Sequence, residues 1–190
     1  MLNKVPGGGG TRLDQAKTAL NQVLADMGQE TRVQIWTFNT RMQEIRVRGV
    51  GQGLFIPIGV GSNRQALMEQ VKNLRTAGGT NLYASIVKSL KLFSVRADQR
   101  FYQSGERFPV LVVLSDGEDL GKTRETLETV LETRKQYPLV TINTIGFQIQ
   151  RDQAWYKVLC KIATQPGGCA TANDARALEA MLDSFYRPGQ

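Results

Sequence analysis

The sequence predicts an α/β fold, with a mostly parallel sheet covered by helices on both faces, and three observations lead there. Apolar, β-branched runs alternate with segments of helical periodicity through most of the chain, the pattern of crossover connections between parallel strands. One such run, Val110 to Leu114, is apolar at every position, as suits a strand buried on both faces. It stops at once in Ser115-Asp116-Gly117-Glu118-Asp119. That acidic turn lies where open α/β sheets hold their ligands, outside the carboxyl end of a strand. Hard oxygen donors in such a crevice suit Mg²⁺ or a similar cation, while a solvated Asp-Gly turn is the plainer reading of the same residues.

Taken in order, Met1 to Gly10 has four consecutive glycines and no periodicity, hence a loop. Thr11 to Met27 carries a stripe of Leu13, Ala16, Leu20, Val23, Leu24 and Met27, so a helix is expected, capped by Thr11 and stopped by Gly28. Arg32 to Phe38 reads as a strand, and Arg41 to Val50 as its antiparallel partner after a short turn. Gly51 to Gly61 is a glycine-rich connection. Ser62 to Thr76 reads as a helix ended by Gly78-Gly79, and Thr80 to Val95 as the next one. Arg96 to Phe108 reads as a polar loop.

Beyond the central run, Lys122 to Gln136 is expected to be a helix, broken at Tyr137-Pro138. Leu139 to Phe147 is a strand and Asp152 to Thr164 a helix. Cys169 to Ala172 can be only a very short strand, and Asp174 to Phe185 closes the chain as a helix.

Bulk properties narrow the function. A chain of 190 residues holds one domain with a full core. No apolar run approaches the roughly 20 residues that span a bilayer, and no signal-peptide stretch opens the sequence, so a soluble, cytoplasmic chain is expected as written. The net charge of +7 favours acidic partners, but the basic residues are scattered, as on a solvated surface, and no stretch interleaves them with aromatics as a stacking platform would. There is no histidine, which excludes Ser-His-Asp and Cys-His catalysis and the usual His-bearing zinc and iron sites. Cys160 and Cys169 are too few for a four-ligand zinc site. They read as two small buried thiols or, in an oxidising compartment, as a local disulfide, and the thiols are preferred.

Five segments together, in this order and spacing, resemble the von Willebrand factor type A (VWA) domain, the Rossmann-like module also found in integrin I domains. TRLDQAKTAL resembles that family's first helix and RVQIWTFNT its second strand. GGTNLYASI carries its threonine segment, VVLSDGED its aspartate segment, and KIATQPGG with the short strand after it the last turn and strand. The likeness runs from about Thr11 to Phe185. It implies a three-layer αβα sandwich with one antiparallel edge strand, and a domain over residues 11–186 preceded by a loop over 1–10.

The resemblance also implies a divalent-cation site, the MIDAS motif, built from an Asp-x-Ser-x-Ser segment, a threonine and an aspartate. Residue by residue, Thr80 matches the threonine and Asp116 the aspartate, with Ser115, Gly117, Glu118 and Asp119 around them as neighbours that support the ligands or stay at the surface. The Asp-x-Ser-x-Ser segment has no counterpart, and no strand precedes the first helix. Met1 then corresponds to the methionine that ends the motif, which suggests a truncated start; a genuine variant without the strand is the other reading. The missing strand would lie between Arg32–Phe38 and Val110–Leu114, leaving two sheet edges unpaired. With two of three ligand segments, Mg²⁺ or Mn²⁺ should bind weakly.

The leading expectation is therefore a non-enzymatic, metal-dependent module that recognises an acidic group on another protein, in a parent whose compartment is open and can be extracytoplasmic. A nucleic-acid-binding domain using the basic surface, as some members of the family are, stands second. A Mg²⁺-dependent phosphoryl-transfer or hydrolytic enzyme stands third, since no Walker-type loop and no second carboxylate motif occur.

Overall fold

The computed structural model describes residues 10–75, 79–94, 96–120, 123–165 and 167–186, and omits the side chains of residues 96–98. Residues 1–9 of the loop expected over 1–10, together with Gly78 and Lys122, lie outside them. In chain order the elements are α1 (Arg12–Asp26), β1 (Arg32–Val33), β2 (Trp36–Phe38), β3 (Met42–Glu44), β4 (Ile56–Pro57), α2 (Asn63–Lys72), α3 (Leu82–Leu92), α4 (Arg96–Gln103), β5 (Val110–Ser115), α5 (Leu127–Lys135), β6 (Thr141–Phe147), α6 (Ala154–Ile162), β7 (Cys169–Ala172) and α7 (Ala175–Tyr186).

β5, β6 and β7 form a parallel sheet in that order, with Val110 opposite Thr141 and Thr144 opposite Cys169. β2 and β3 pair antiparallel in a separate ladder, as β1 and β4 do. Among the described residues, no strand stands on the outer edge of β5, where the resemblance places the first central strand.

Side-chain alternation explains the layers. Leu111 and Val113 of β5, with Ile142 of β6, pack against Leu82, Ile86 and Leu90 of α3, Val130 of α5 and Leu159 of α6. On the opposite face Val112 and Leu114 of β5 join Ile145 and Phe147 of β6 against Ala16 and Ala19 of α1 and Leu178 of α7. A third cluster joins Leu24 of α1 to Leu67 and Val71 of α2 over Ile45, Ile56 and Ile58. These layers make the αβα sandwich.

Several expected elements change on inspection. The strand over Arg32 to Phe38 is interrupted at Gln34-Ile35, so its halves serve different ladders, and the partner expected over Arg41 to Val50 shortens to β3. The glycine-rich connection holds the two-residue β4, and the polar loop over Arg96 to Phe108 contains helix α4. α5 starts at Leu127, because Thr126 caps it by accepting from the Thr129 N–H at 3.3 Å. Cys160 of α6 and Cys169 of β7 are joined in a disulfide with Cα atoms 5.0 Å apart, in place of the preferred pair of free thiols. The turn before Cys169 requires glycine. Gly167 has φ +85°, and a Cβ on Gly168 would stand 2.8 Å from Asn143 Oδ1.

Candidate functional site

The crevice forms where β5 ends. Ser115, 3% exposed, closes the strand, and its hydroxyl donates to the Gly117 carbonyl at 2.8 Å and accepts the Gly117 N–H at 3.4 Å. This small turn directs the chain away from the sheet and leaves Asp116, with a side chain 17% exposed, at the strand's mouth. Glu118 is exposed.

The segment before α3, which carries Thr80, is bonded to the stretch that follows Asp116. The Thr80 carbonyl accepts the Leu120 N–H at 2.9 Å, and Asp119 Oδ1 accepts the Tyr83 N–H at 3.2 Å. On its other side the segment is held by the β2–β3 turn: the Asn81 N–H donates to the Asn39 carbonyl and the Asn81 side-chain amide to the Thr40 carbonyl, each at 2.9 Å. The threonine and aspartate segments are thus clamped together by one backbone–backbone bond and one from a backbone N–H to the Asp119 carboxylate.

Asp119 has a role that composition did not reveal. Asn81, the N-cap of α3, makes no side-chain cap bond, and the first turn of α3 holds no acid. The Asp119 carboxylate supplies both, as acceptor for an orphan N–H and as an anion at the helix N-terminus. Burial, and after it the nearby carboxylates of Asp119, Glu128 and Glu118, push the Tyr83 phenol above its ordinary value.

Two further residues enter the crevice without any motif to announce them. Arg12, the first residue of α1, places Nη1 3.5 Å from Asp116 Oδ2 and donates through Nε to Gln148 Oε1 at 2.7 Å. Gln148 follows β6 directly, and its backbone has φ +56°, in the left-handed region that favours glycine. Its N–H donates to the Ala172 carbonyl at 2.7 Å and its amide to the Asn173 carbonyl at 3.3 Å, which ties the crevice to the end of β7. A cation at the first turn of a helix was the available sequence signal, since acids are favoured there.

As a donor set for a hard cation the described residues fit only in part. Thr80 and Asp116 offer a hydroxyl and a carboxylate, and Asp116 is already engaged by a guanidinium. Among the described residues no group of three or more His, Cys, Asp or Glu side chains could hold a metal ion. An octahedral ion that sheds water reluctantly needs more preplaced oxygens than these.

The family-level likeness is strong. The model of the von Willebrand factor type A domain matches residues 7–184, and the chain belongs to that family. Domains of this family are generally interaction modules. In fold, the chain is similar to proximal thread matrix protein 1 from the mussel byssus, a structure with a zinc-occupied MIDAS motif. The TM-score is 0.64 at 13% identity, over 92% of this chain and 42% of that one. It is also similar to a von Willebrand factor type A protein from Catenulispora acidiphila, with TM-score 0.65 and 17% identity over 88% of this chain and 36% of that one. The chain therefore spans less than half the length of either structure. No curated protein matches it in sequence. No described helix is long and apolar enough to cross a membrane.

Proposed function

We propose that this chain is a protein-recognition module whose crevice at the mouth of β5 receives an acidic group of a partner protein. In this reading Thr80 and Asp116 offer oxygens to a divalent cation, Mg²⁺ or Mn²⁺, that the chain alone holds weakly. The supporting observation is the clamp between the threonine and aspartate segments, through Leu120 N–H to the Thr80 carbonyl and Tyr83 N–H to Asp119. Segments that distant in sequence are held at one strand end only if the fold assembles them there, and a zinc-occupied MIDAS motif in a protein of similar fold agrees with that reading. The Cys160–Cys169 disulfide supports an oxidising compartment.

The nucleic-acid reading is weaker. Arg and aromatic side chains do meet, with the Arg100 and Arg107 guanidiniums 4.7 and 4.0 Å from the Phe101 ring centroid. Those contacts already engage the ring on which a base would stack. Binding through phosphates would also weaken steeply with salt, which a titration reads directly.

Calorimetry with Mn²⁺ on three proteins tests the main reading: the chain as given, the chain with a strand ending in Asp-x-Ser-Gly-Ser ahead of Met1, and that longer chain carrying Asp116→Ala. Affinity should rise sharply with the added strand and fall back with Asp116→Ala. Equal affinity in all three would make Asp116 a turn residue only.

A further inference from the structure

The geometry points to Arg12 as the resident cation of the crevice: a guanidinium, tethered to α1, that contests Asp116 with any divalent ion. The inference rests on the reading of Asp116 as the ion's ligand and adds what sets that ligand's availability. Four observations carry it.

First, Arg12 stands at the wrong end of its helix. Thr11 caps α1 and Asp14 closes the capping box, with the Asp14 carboxylate accepting from the Thr11 N–H at 2.9 Å. A cation one residue past the cap faces the positive end of the helix dipole, so the helix gains nothing from it there. Second, its contacts lie elsewhere, on residues 104 and 136 positions away: Asp116 at 3.5 Å and Gln148 at 2.7 Å. Third, both members of the ion pair are largely withdrawn from water, with side chains 25% and 17% exposed, so solvent screens them less than a surface pair.

The fourth observation is Gln148. It is the one non-glycine residue with positive φ among the described residues. A side chain held in a disfavoured backbone region marks a place the surrounding structure over-determines. Here the Ala172 and Asn173 carbonyls fix Gln148, and its Oε1 receives the Arg12 Nε–H. The amide thus aims the forked guanidinium at Asp116, making Gln148 a positioning residue for Arg12.

The chemistry follows from charge. With Arg12 in place the Asp116 carboxylate is balanced without a metal. A divalent ion arriving at Asp116 must either displace the guanidinium or accept a like charge beside it, and both outcomes weaken binding. Asp116 is thereby paired when no ion is bound, and an ion takes it only where conditions or a completed donor set outbid an internal cation.

Mn²⁺ binding, read from the electron paramagnetic resonance signal of the free ion, tests this on the chain as given and on the chain with the added Asp-x-Ser-Gly-Ser strand. Arg12→Gln should tighten Mn²⁺ binding by about fivefold in each, the scale of a partly exposed ion pair. Arg12→Lys keeps the charge but loses the fork to Gln148, so it should give a smaller gain. It also decides the matter if Arg12→Gln fails to fold, as judged by thermal melting; there, no gain from Arg12→Lys overturns the inference. With Asp116→Asn present, Arg12→Gln should bring no gain. Unchanged or weaker binding in Arg12→Gln, in a background where Asp116→Ala abolishes binding, overturns the role of Arg12 and leaves the proposed function standing. If Asp116→Ala has no effect in the longer chain, the reading of the site fails, and the inference with it.

Discussion

β5 and β6 are adjacent and parallel, and β5 is the more apolar of the two, yet it is the less enclosed. Six of the seven residues of β6 are buried, against two of the six in β5. The difference lies in their neighbours. β6 is paired on both edges, with β5 and β7, and layered by helices on both faces, whereas β5 is paired with β6 alone among the described strands. An apolar strand sequence therefore fixes which residues can be buried, while burial itself needs a strand on each side. At the mouth of β5, which has no outer neighbour among the described strands, Arg12 meets Asp116, and the segment that carries Thr80 is bonded to Leu120 just beyond.

The largest expected effect contrasts the two strands directly. Phe147, fully buried at the end of β6, should cost about 3–5 kcal/mol when cut to alanine. Leu114 of β5, on the same sheet face but half-buried, should cost about half as much when cut in the same way. Chemical denaturation of both variants measures it, and equal losses would mean that the open edge makes no difference to packing. A smaller effect is expected at the far edge of β6. The disulfide closes a short loop between α6 and β7, so Cys160→Ser with Cys169→Ser should lower stability by about 2–3 kcal/mol. Hydrogen exchange in β6 should then rise along the β7 side, moving it towards the behaviour of β5.

The smallest effect is electrostatic, at the helix that brings Arg12 to the crevice. Hydrogen bonds from the Thr11 backbone N–H, and then from its hydroxyl, hold the Asp14 carboxyl below its ordinary value. A depressed carboxyl contributes stability above its unfolded value and loses it as pH falls through the folded one. The start of α1 should therefore fray as the solution is acidified through the carboxylate range. Asp14→Asn should be frayed already at neutral pH and lack that acid step in circular dichroism.

Much of the frame was legible in the sequence, for identifiable reasons. Val110–Ser115 and Thr141–Phe147 are β-branched runs bounded by Pro109, Pro138 and polar turns, and even the four-residue β7 follows from Gly167-Gly168 and the small residues after it. α4 was hidden because Phe101 and Tyr102 sit among Arg, Asp and Gln, so its apolar face is only two residues wide. β4 was hidden because Ile56-Pro57 is shorter than any period it could display. At the crevice, the choice of Thr80 and Asp116 comes from the family resemblance, and their part as ion ligands is the proposal made above. Arg12 and Gln148 were not legible, since their meeting depends on α1 crossing the ends of β5 and β6, which no local pattern encodes.

Amide hydrogen exchange, resolved residue by residue along β5 and β6, tests the open edge most directly. Successive backbone N–H groups of a strand point to opposite edges, so an unpaired edge exposes every second one. The account predicts that the amides of Ile142 to Phe147 are all strongly protected, while along Leu111 to Ser115 protected and fast-exchanging amides alternate. Uniform protection along both strands would contradict it, because β5 would then be paired on its outer edge and the crevice would not lie beside an open strand.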